Sequence, residues 1–514
     1  MIGKREPTQF SFLNPAPPDS GVRVDRFLQR VDELIDFEPV REMVAPYFAA
    51  IGRPSIDPVL MVKMMVVGFL LGIGSDRRLV EECADRISVR RFLGLGLTDP
   101  VPAHSSFTHW RQRLGPELFR ALLHMIVVQC QAHGMTLSGD RTVDGTAVKA
   151  QADRHGPVVV VPEGWDVDEY LRQLGVHDPP PDDDQLPDDA DTPDDAHRAD
   201  NSAANNAPPD EGHTGGKGTL INTHDPDARM SRRFRADRPE FRYYASLCAD
   251  AHNGLITDAT AHAREWAATA AEHVDHDPGQ VKRLAADGLY DHGAALAELH
   301  QRGVEPHVPE TAHYRHGQLS RDEFCYDAER DVYICPEGAV LGKSRERADT
   351  GQSYYVARIS DCRACPRKAQ CTSAQRRTVS RQQYQWARER AVRDGPAYEQ
   401  LQRRRRVNEH LNLLGKRDHG LGRARGLGLA AMRIQAALTG VAINLGKLVR
   451  YVDDRRGGHA GGCATALAGL FTHTWRHLQR ALVALDRLRA HLLTHLIGLP
   501  TPSHSSRAAA GRAF

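Results

Sequence analysis

The chain has 514 residues and a mass of 57.0 kDa, which is long enough for two or three domains that each bury a core. Its formal net charge is only +1, so the overall charge does not indicate nucleic-acid binding. The charges are unevenly distributed, however: residues 178–211 are crowded with Asp and Pro, and residues 376–425 are rich in Arg. The Arg-rich segment is a candidate phosphate-binding surface.

Nothing in the sequence indicates export or a membrane span. The N-terminal residues lack the apolar stretch of a secretory signal, which predicts a cytoplasmic protein. The most apolar run, Val59–Ile73, contains Lys63 and is shorter than the ~20 residues that span a bilayer, so it predicts a buried helix. Nine cysteines without a signal peptide favour free thiols or a metal site over disulfides.

Residues 1–135 are predicted to form a helical module. Asp57 before Pro58 is an N-cap signal, Ser75 can cap a second helix through Arg91, and Ser105 or Ser106 can cap a third beginning at Phe107. The arginines of this module could contact DNA, although a packed bundle with solvated arginines would give the same pattern. They are Arg77, Arg78, Arg90, Arg91, Arg111 and Arg113.

From Arg141 the pattern changes to short strands separated by helical stretches, which predicts a mixed α/β domain. The predicted strands are Thr142–Val148, Phe241–Ala249, Leu255–Ala261, Arg283–Ala286 and Val304–Val308. Between the first two, residues 154–215 are predicted to be a disordered insertion, because their polar centre at 178–211 cannot bury enough apolar surface to order the chain.

The C-terminal half begins with a Cys-rich segment, residues 310–380, and continues as an Arg-rich helical stretch to Tyr451. Residues 452–514 are predicted to be a helical tail, because leucines at positions 478, 482, 485, 488, 492 and 496 fall on one helix face. Charged residues interrupt this face, so we expect it to pack or to mediate oligomerisation rather than to anchor the chain in a membrane.

Three carboxylates have the settings of a metal site. Asp144 ends a β-branched run in RTVDGTAVKA and is expected at the exposed end or edge of a strand, and Asp287 ends an apolar stretch in VKRLAADGLYD and is expected at the end of a core strand. Glu409 lies in RRRRVNEHLNLLGKRDHG, with Arg405 four residues before it and Lys416 seven after it. Singly, an Asp-Gly pair suits a plain turn and Glu409 suits an ion-paired helix face. Together, the three would bind Mg²⁺ or Mn²⁺.

Two other carboxylates in the basic stretch are weaker candidates for the third ligand. Glu399 lacks both an Arg four residues before it and a Lys seven after it. Asp418 follows Gly415, which is expected to end the helix, so its short side chain would be poorly held. We therefore favour Glu409.

These motifs carry a family resemblance. The order Asp-Gly-Thr, Ala-Asp-Gly-x-Tyr-Asp and Arg-x-x-x-Glu-x-x-x-x-x-x-Lys resembles the signature of bacterial insertion-sequence DDE transposases, with Gln402 at the position of an expected tyrosine. The segments GRPSIDPVLMVKMM, RRLVEECADRISVRRFLGL and DPVPAHSSFTHWRQRL resemble the helical DNA-binding module of that family. DPDAR at residues 225–229 and RGLGLAAMRIQAALTGVAINLGKLVR also match it. The resemblance covers about residues 25–451.

The resemblance implies a fold, an activity and partners. The fold is an α/β ribonuclease H-like mixed sheet in a catalytic domain at residues 136–451, preceded by the helical module and interrupted by a Cys-rich subdomain. The activity is metal-dependent cleavage and strand transfer of double-stranded DNA at terminal inverted repeats and target sites, by a homodimer or higher oligomer. Asp144, Asp287 and Glu409 would be the catalytic metal ligands. The basic side chains on the phosphates would be Arg403, Arg404, Arg405, Arg406 and Lys416.

The cysteines suggest a second metal. Four of the five clustered thiols could hold Zn²⁺ in a tetrahedral site, and the same Cys-bearing insertion occurs in one subgroup of the resembled family. The Cys-x-x-Cys pair of Cys362 and Cys365 is the strongest element, Cys335 and Cys371 are its natural partners, and Cys325 is left over. Reduced structural thiols are the alternative.

Two other functions remain open at the level of sequence. A non-catalytic DNA-binding protein derived from a transposase would be expected to lose at least one of the three acids, and all three are present. A metal-dependent nuclease that hydrolyses DNA without joining strands would retain the same site, and only an assay of strand transfer separates the two.

Overall fold

The computed structural model describes residues 2–4, 26–49, 51–52, 54–152, 158–162, 166–173, 218–231, 238–263, 269–310, 319, 321–347, 352–382 and 384–458. The polar segment 178–211 and the leucine-bearing part of the tail lie outside these residues.

The N-terminal region is helical, as predicted. Its helices are α1 (Arg26–Leu34), α2 (Val40–Val44), α3 (Pro58–Leu70), α4 (Asp76–Asp85), α5 (Ile87–Leu93) and α6 (Ser105–Ala132). Asp57 caps α3, because its Oδ1 accepts a hydrogen bond of 2.9 Å from the backbone N–H of Val59. Ten of the thirteen residues of α3 are buried, which confirms the buried helix predicted from its apolar run.

Two predicted helix boundaries in this region were wrong. The helix that Ser75 caps ends at Asp85, because Arg86 adopts an extended conformation (φ −85°, ψ 110°) before a separate helix begins. The third helix begins at Ser105 with His104 as an N-cap that makes no side-chain bond. Gly115, at φ 67° and followed by Pro116, then divides α6 into two segments.

The central part of the chain alternates strands and helices. Its elements are β1 (Asp140–Lys149), β2 (Val158–Pro162), α7 (Val167–Gln173), β3 (Gly218–Asn222), β4 (Arg229–Ser231), β5 (Glu240–Asp250), β6 (Ile256–His262), α8 (Thr269–His276), β7 (Arg283–Ala285), α9 (Gly293–Gln301) and β8 (Glu305–His307). All five predicted strands are present, as β1, β5, β6, β7 and β8.

The main sheet is mixed. In it β5 pairs antiparallel with β1 on one side and with β4 and β6 on the other, while β7 pairs parallel with β1 and β8 pairs parallel with β7. The central strand β1 therefore has an antiparallel neighbour along its whole length and a parallel neighbour only at its N-terminal end. The helix α8 leads from β6 into β7, and α9 connects the parallel strands β7 and β8.

Part of the predicted disordered insertion, residues 154–215, is ordered. β2 pairs antiparallel with β3, and α7 packs on this hairpin through Val161, Leu171 and Ile221. The sequence GPVVVVP, which contains β2, is rich in valine and favours a strand. The high average polarity of the whole segment concealed this signal.

The described residues of the C-terminal part form a second, five-stranded sheet and six α-helices, of which the last ones return to the main sheet. Its elements are β9 (Cys325–Asp327), β10 (Val332–Ile334), β11 (Val340–Arg347), β12 (Gln352–Val356), α10 (Ile359–Ala364), α11 (Lys368–Cys371), β13 (Thr378–Gln382), α12 (Gln385–Arg390), α13 (Gly395–Arg404), α14 (Arg406–Asp418) and α15 (Gly428–Gly458). Strands β9 to β13 form an antiparallel sheet in the order β13-β12-β11-β10-β9, with a separate small core.

One core joins the N-terminal helices to the main sheet. It contains apolar residues of α1 to α6, β5, β6, α14 and α15. α15 is long and apolar enough to span a membrane, but most of it is buried in this core. It also continues to Gly458, so the predicted start of the tail at residue 452 falls inside a helix.

Candidate active site

Asp144 and Asp287 lie side by side at the carboxyl end of the parallel strand pair. The parallel register aligns Thr142 of β1 with Ala285 of β7, where β7 ends. Two residues further along each strand direction, the register brings Asp144 to the level of Asp287. Asp144 lies within β1, as in the predicted strand Thr142–Val148, because β1 continues along its antiparallel partner β5 to Lys149.

Both carboxyl groups are electrostatically strained. Burial and the nearby negative charge of Asp287 raise the pKa of Asp144 to about 6, although Arg405 and a hydrogen bond from Asn412 oppose this. Burial also raises the pKa of Asp287, against the effect of the backbone N–H of Leu289 and of Arg405. The charge of Asp287 disfavours that of Asp144, and burial disfavours the charge of both, so a cation placed between them would be stabilising.

The helix α14 packs on β1 and β5 and turns a polar stripe toward this pair. Its buried residues are Asn408, Leu411, Asn412, Leu414 and Gly415. The Nδ2 of Asn412 donates a hydrogen bond of 3.1 Å to Oδ2 of Asp144, and the Nδ2 of Asn408 donates one of 3.3 Å to the carbonyl of Leu247 on β5. Asn412 was not among the predicted site residues. Its four-residue spacing from Asn408, beside Leu411 and Gly415, was the available signal.

Glu409 lies on the adjacent, exposed face of α14. Its side chain is 58% exposed, and its Oε1 lies 3.5 Å from a terminal nitrogen of Arg405. Arg405 in turn interacts with both Asp144 and Asp287. Glu409 is therefore linked to the aspartate pair through Arg405, while Asn412 contacts Asp144 directly.

The two weaker candidates for the third ligand are paired with neighbouring arginines. Glu399 lies 3.0 Å from Arg403, and Asp418 lies 2.7 Å from Arg417. The expectation that Gly415 ends the helix was wrong, because α14 runs to Asp418. Gly415 instead allows close packing, since a Cβ there would lie 3.0 Å from Leu421.

Gln402 fixes the loop that carries Asp287. Its Nε2 lies 3.2 Å from the carbonyl oxygen of Ala286 and 2.6 Å from that of His307, at the ends of β7 and β8. The side chain thereby ties α13 to the residue before Asp287. The donor N–H groups of Gln402 face these carbonyls, so the residue acts here as a positioning residue.

Two other motif segments have structural contacts. Asp291, in the Asp-Gly-x-Tyr-Asp motif, is fully buried and pairs with Arg388 and Arg393, which holds the segment after the second sheet against this motif. In the DPDAR segment, Asp225 and Asp227 accept hydrogen bonds of 3.0 and 2.7 Å from the first backbone N–H groups of α15. They cap that helix and stabilise its positive end.

The predicted phosphate-binding residues differ in their surroundings. Arg403 and Arg406 are exposed, and Arg403 pairs with Glu399. Arg404 contacts the ring of His252, while Arg405 and Lys416 are partly buried. The four arginines therefore lie at the junction of α13 and α14, with Arg405 near the aspartate pair, whereas Lys416 lies in the last turn of α14.

Two of the N-terminal arginines are held inside the protein. Arg90 is buried and donates to the carbonyls of Ala84, Gly96 and Asp99, and Arg111 forms a two-bond ion pair with Asp76 at 2.7 and 2.8 Å. The other four, Arg77, Arg78, Arg91 and Arg113, are exposed or partly exposed.

The cysteines of the second sheet lie near one another. Burial raises the pKa of Cys371, and the thiols of Cys362, Cys365 and Cys335 raise it further. The Sγ of Cys335 accepts a hydrogen bond of 3.2 Å from the N–H of Ala339, and that of Cys362 accepts one of 3.5 Å from the N–H of Arg377. Cys325 is exposed.

No metal-binding arrangement of the usual residue types is present among the described residues. Within the ranges given above, no group of three or more His, Cys, Asp or Glu side chains is placed so that it could hold a metal ion.

Comparison with known proteins gives two matches to transposase families. Residues 18–113 match the model of a transposase domain (DUF772), and residues 334–449 match the model of the transposase DDE domain. The second match includes Glu409 but neither Asp144 nor Asp287. No curated protein matches the chain.

One solved structure shows a weak similarity. It is the piggyBac transposase synaptic complex with hairpin DNA, at a TM-score of 0.30 and 8% identity, covering 94% of this chain and 84% of that chain. This likeness is too low to bear on fold or function. The family models show that two segments of the chain are similar to transposase domains, one of them to the DDE domain.

Proposed function

We propose that the protein is an insertion-sequence DDE transposase that cleaves DNA and transfers the cut strands in a metal-dependent reaction. The observation that carries the proposal is the meeting of Asp144 and Asp287 beside α14, whose residues fall within the match to the transposase DDE domain. Both acids come from motifs far apart in the sequence, and the parallel pairing of β1 with β7 brings them together.

The surroundings of the pair fit a hard divalent cation such as Mg²⁺ or Mn²⁺. Carboxylate and amide oxygens are the ligands that these ions prefer, and the buried Oδ1 of Asn412 beside Asp144 has no hydrogen-bond partner. Asp144 and Asp287 would hold the metal, with Glu409 as the third acid. When bound, such ions activate water or a 3′-hydroxyl and stabilise the oxygen that leaves phosphorus.

For Glu409, the proposal requires a change of side-chain orientation. Its carboxylate contacts Arg405 across an exposed ion pair, a type of contact that contributes less than about 1 kcal/mol, so little opposes reorientation. Arg405 would then be freed to neutralise a phosphate, together with Lys416 and the arginines Arg403, Arg404 and Arg406.

The domain organisation supports the same proposal. We assign the mixed sheet to the ribonuclease H-like type, with a helical DNA-binding module at residues 1–135, the catalytic domain at 136–451 and the Cys-rich subdomain at 310–380. In the N-terminal module, Arg77, Arg78, Arg91 and Arg113 are the candidates for DNA contact, because their side chains are exposed or partly exposed. We propose a cytoplasmic homodimer or higher oligomer acting on double-stranded DNA.

The test is an assay of cleavage and joining by the full chain. The substrate is double-stranded DNA that carries the sequences flanking this reading frame, incubated with Mg²⁺ or Mn²⁺ and a target duplex. We expect nicks at the inverted repeats and joined products. Cleavage without joining would identify the nuclease alternative, and binding without cleavage would identify the non-catalytic DNA-binding protein.

We further propose that Cys335, Cys362, Cys365 and Cys371 bind one structural Zn²⁺. The four thiols lie near enough to act on one another, and backbone N–H groups bond to Cys335 and Cys362, which supports this, since such bonds stabilise thiolates. To hold the ion, the four side chains would have to turn toward a common point. Reduced thiols in the small core remain the alternative.

Elemental analysis tests the zinc proposal. We expect about one zinc per chain, lost in the double variant Cys362→Ser/Cys365→Ser together with a fall in melting temperature, because structural zinc contributes directly to folding. The control is Cys325→Ser, which should retain both metal and stability. A wild-type protein that contains no zinc and is nevertheless well folded would rule the site out.

A further inference from the structure

Asn412 has an unusual environment for a helix residue. Its side chain is 7% exposed, its Nδ2 lies 3.1 Å from Oδ2 of Asp144, and its Oδ1 is buried without a hydrogen-bond partner. A buried amide oxygen without a partner is destabilising. The protein therefore keeps a desolvated acceptor next to the carboxylate of Asp144.

The amide group can present either of its polar atoms to Asp144. Without a cation, the N–H group faces the carboxylate, because an amide oxygen there would repel it. With a cation between the two side chains, rotation of the amide by half a turn would place Oδ1 on the metal. Amide carbonyl oxygens are common ligands of hard divalent cations.

The placement of Glu409 increases the importance of Asn412 beside Asp144. Glu409 is largely exposed and pairs with Arg405, whereas Asn412, one turn further along α14, contacts Asp144 in the same arrangement of the helix. A half-turn of its amide would bring an oxygen beside this carboxylate without any movement of the backbone.

We propose that Asn412 is a ligand of the divalent cation held by Asp144 and Asp287, and that its N–H group orients Asp144 when the metal is absent. This inference rests on the proposed metal site. It adds to that site a ligand that contacts Asp144 directly.

Asn408 offers a matched control. It lies one turn earlier on the same face of α14, is fully buried, and also has an Oδ1 without a partner. Its Nδ2, however, donates to the backbone carbonyl of Leu247 rather than to a carboxylate. Replacing Asn408 removes the same kind of group from the same helix without touching Asp144.

The experiment measures Mn²⁺ binding by electron paramagnetic resonance, using the full chain without DNA. The variants are Asn412→Leu, Asn412→Asp, Asn408→Leu and Asp144→Asn, each with its melting temperature. We expect Asp144→Asn to abolish binding and Asn412→Leu to weaken it at least about tenfold, the size seen when a group is removed from around a metal. Asn412→Asp should bind at least as tightly as wild type, and Asn408→Leu should bind like wild type.

The outcomes separate this inference from the proposed function. Wild-type affinity in a folded Asn412→Leu variant would overturn the ligand role and leave the aspartate site standing. If Asn412→Leu does not fold, Asn412→Asp decides, because weaker binding by that variant at normal melting temperature also overturns the role. Equal binding by wild type and Asp144→Asn would remove the proposed site itself, and this inference with it.

Discussion

Asp144 shows that a residue of the candidate site can lower the free energy of unfolding of the protein. Its folded-state pKa of about 6 exceeds the ordinary value of 3.8, so folding favours the protonated carboxyl. Above pH 6 the charged group therefore lowers the free energy of unfolding, and this effect fades as the pH falls from 6 toward 3.8.

We predict that Asp144→Asn stabilises the metal-free protein at pH 8, by at most about 3 kcal/mol, and leaves it unchanged near pH 4. Asn retains an oxygen that can accept the N–H bond of Asn412. Urea unfolding in the presence of a chelator measures the difference. The control of opposite sign is Asp275→Asn, because Arg302 lowers the pKa of Asp275. If Asp144→Asn is less stable than wild type at pH 8, the charge of Asp144 does not destabilise the folded protein.

A second prediction concerns the single residue Gln402. In Gln402→Glu, an ionised carboxylate would face the carbonyls of Ala286 and His307 that now accept hydrogen bonds, so we expect a loss of about 1–3 kcal/mol and displacement of the Asp287 loop. DNA cleavage should fall while DNA affinity is kept. The same change at the exposed Gln301 should alter neither. An active, fully stable Gln402→Glu would refute the positioning role.

The sequence predicted Asp144 and Asp287 because an acid that ends an apolar run leaves a recognisable pattern. It could not predict the role of Asn412. An asparagine in a helix has no ligand signature of its own, and its function depends on which face of α14 is turned toward β1. The position of Glu409 on the neighbouring face depends on the same rotation.

At the scale of elements, the strands were predicted well and their limits less well. Runs rich in β-branched and apolar residues located β1, β5 and β6, but pairing decides where a strand ends. β1 was predicted as Thr142–Val148 and runs one residue further, to Lys149, because β5 pairs with it that far. Likewise β2 and β3 form because they pair with each other across a long polar segment, which no local pattern records.

This hairpin sharpens a prediction about the segment between its strands. Deleting residues 179–210 leaves β2, α7 and β3 intact, and a shorter connection closes the loop at a smaller entropic cost, so we expect an unchanged melting temperature and normal cleavage. The matched control is Ile221→Asp, which buries a charge in the small core and should lower stability. A large fall in melting temperature of the deletion variant would show that the segment packs on the protein.

At the scale of the whole molecule, the candidate site lies where separate parts of the chain meet. β1 and β7 supply the two aspartates, and α14 supplies Asn412 and Glu409. β5 and α14 also belong to the core that contains the N-terminal helices. Sequence reasoning predicted the order of these parts, but not that one core unites them, because contacts between distant segments leave no local signal.

The central claim is that Asp144 and Asp287 bind a divalent cation directly during DNA cleavage. Exchange of a carboxylate for a thiolate tests it, because a soft sulfur ligand is poorly matched to Mg²⁺ and better matched to Mn²⁺. The measurement is strand cleavage by full-length Asp144→Cys and Asp287→Cys in each metal, beside wild type. We predict that both variants are inactive in Mg²⁺ and regain cleavage in Mn²⁺. Wild-type cleavage in Mg²⁺ by either variant would contradict the claim.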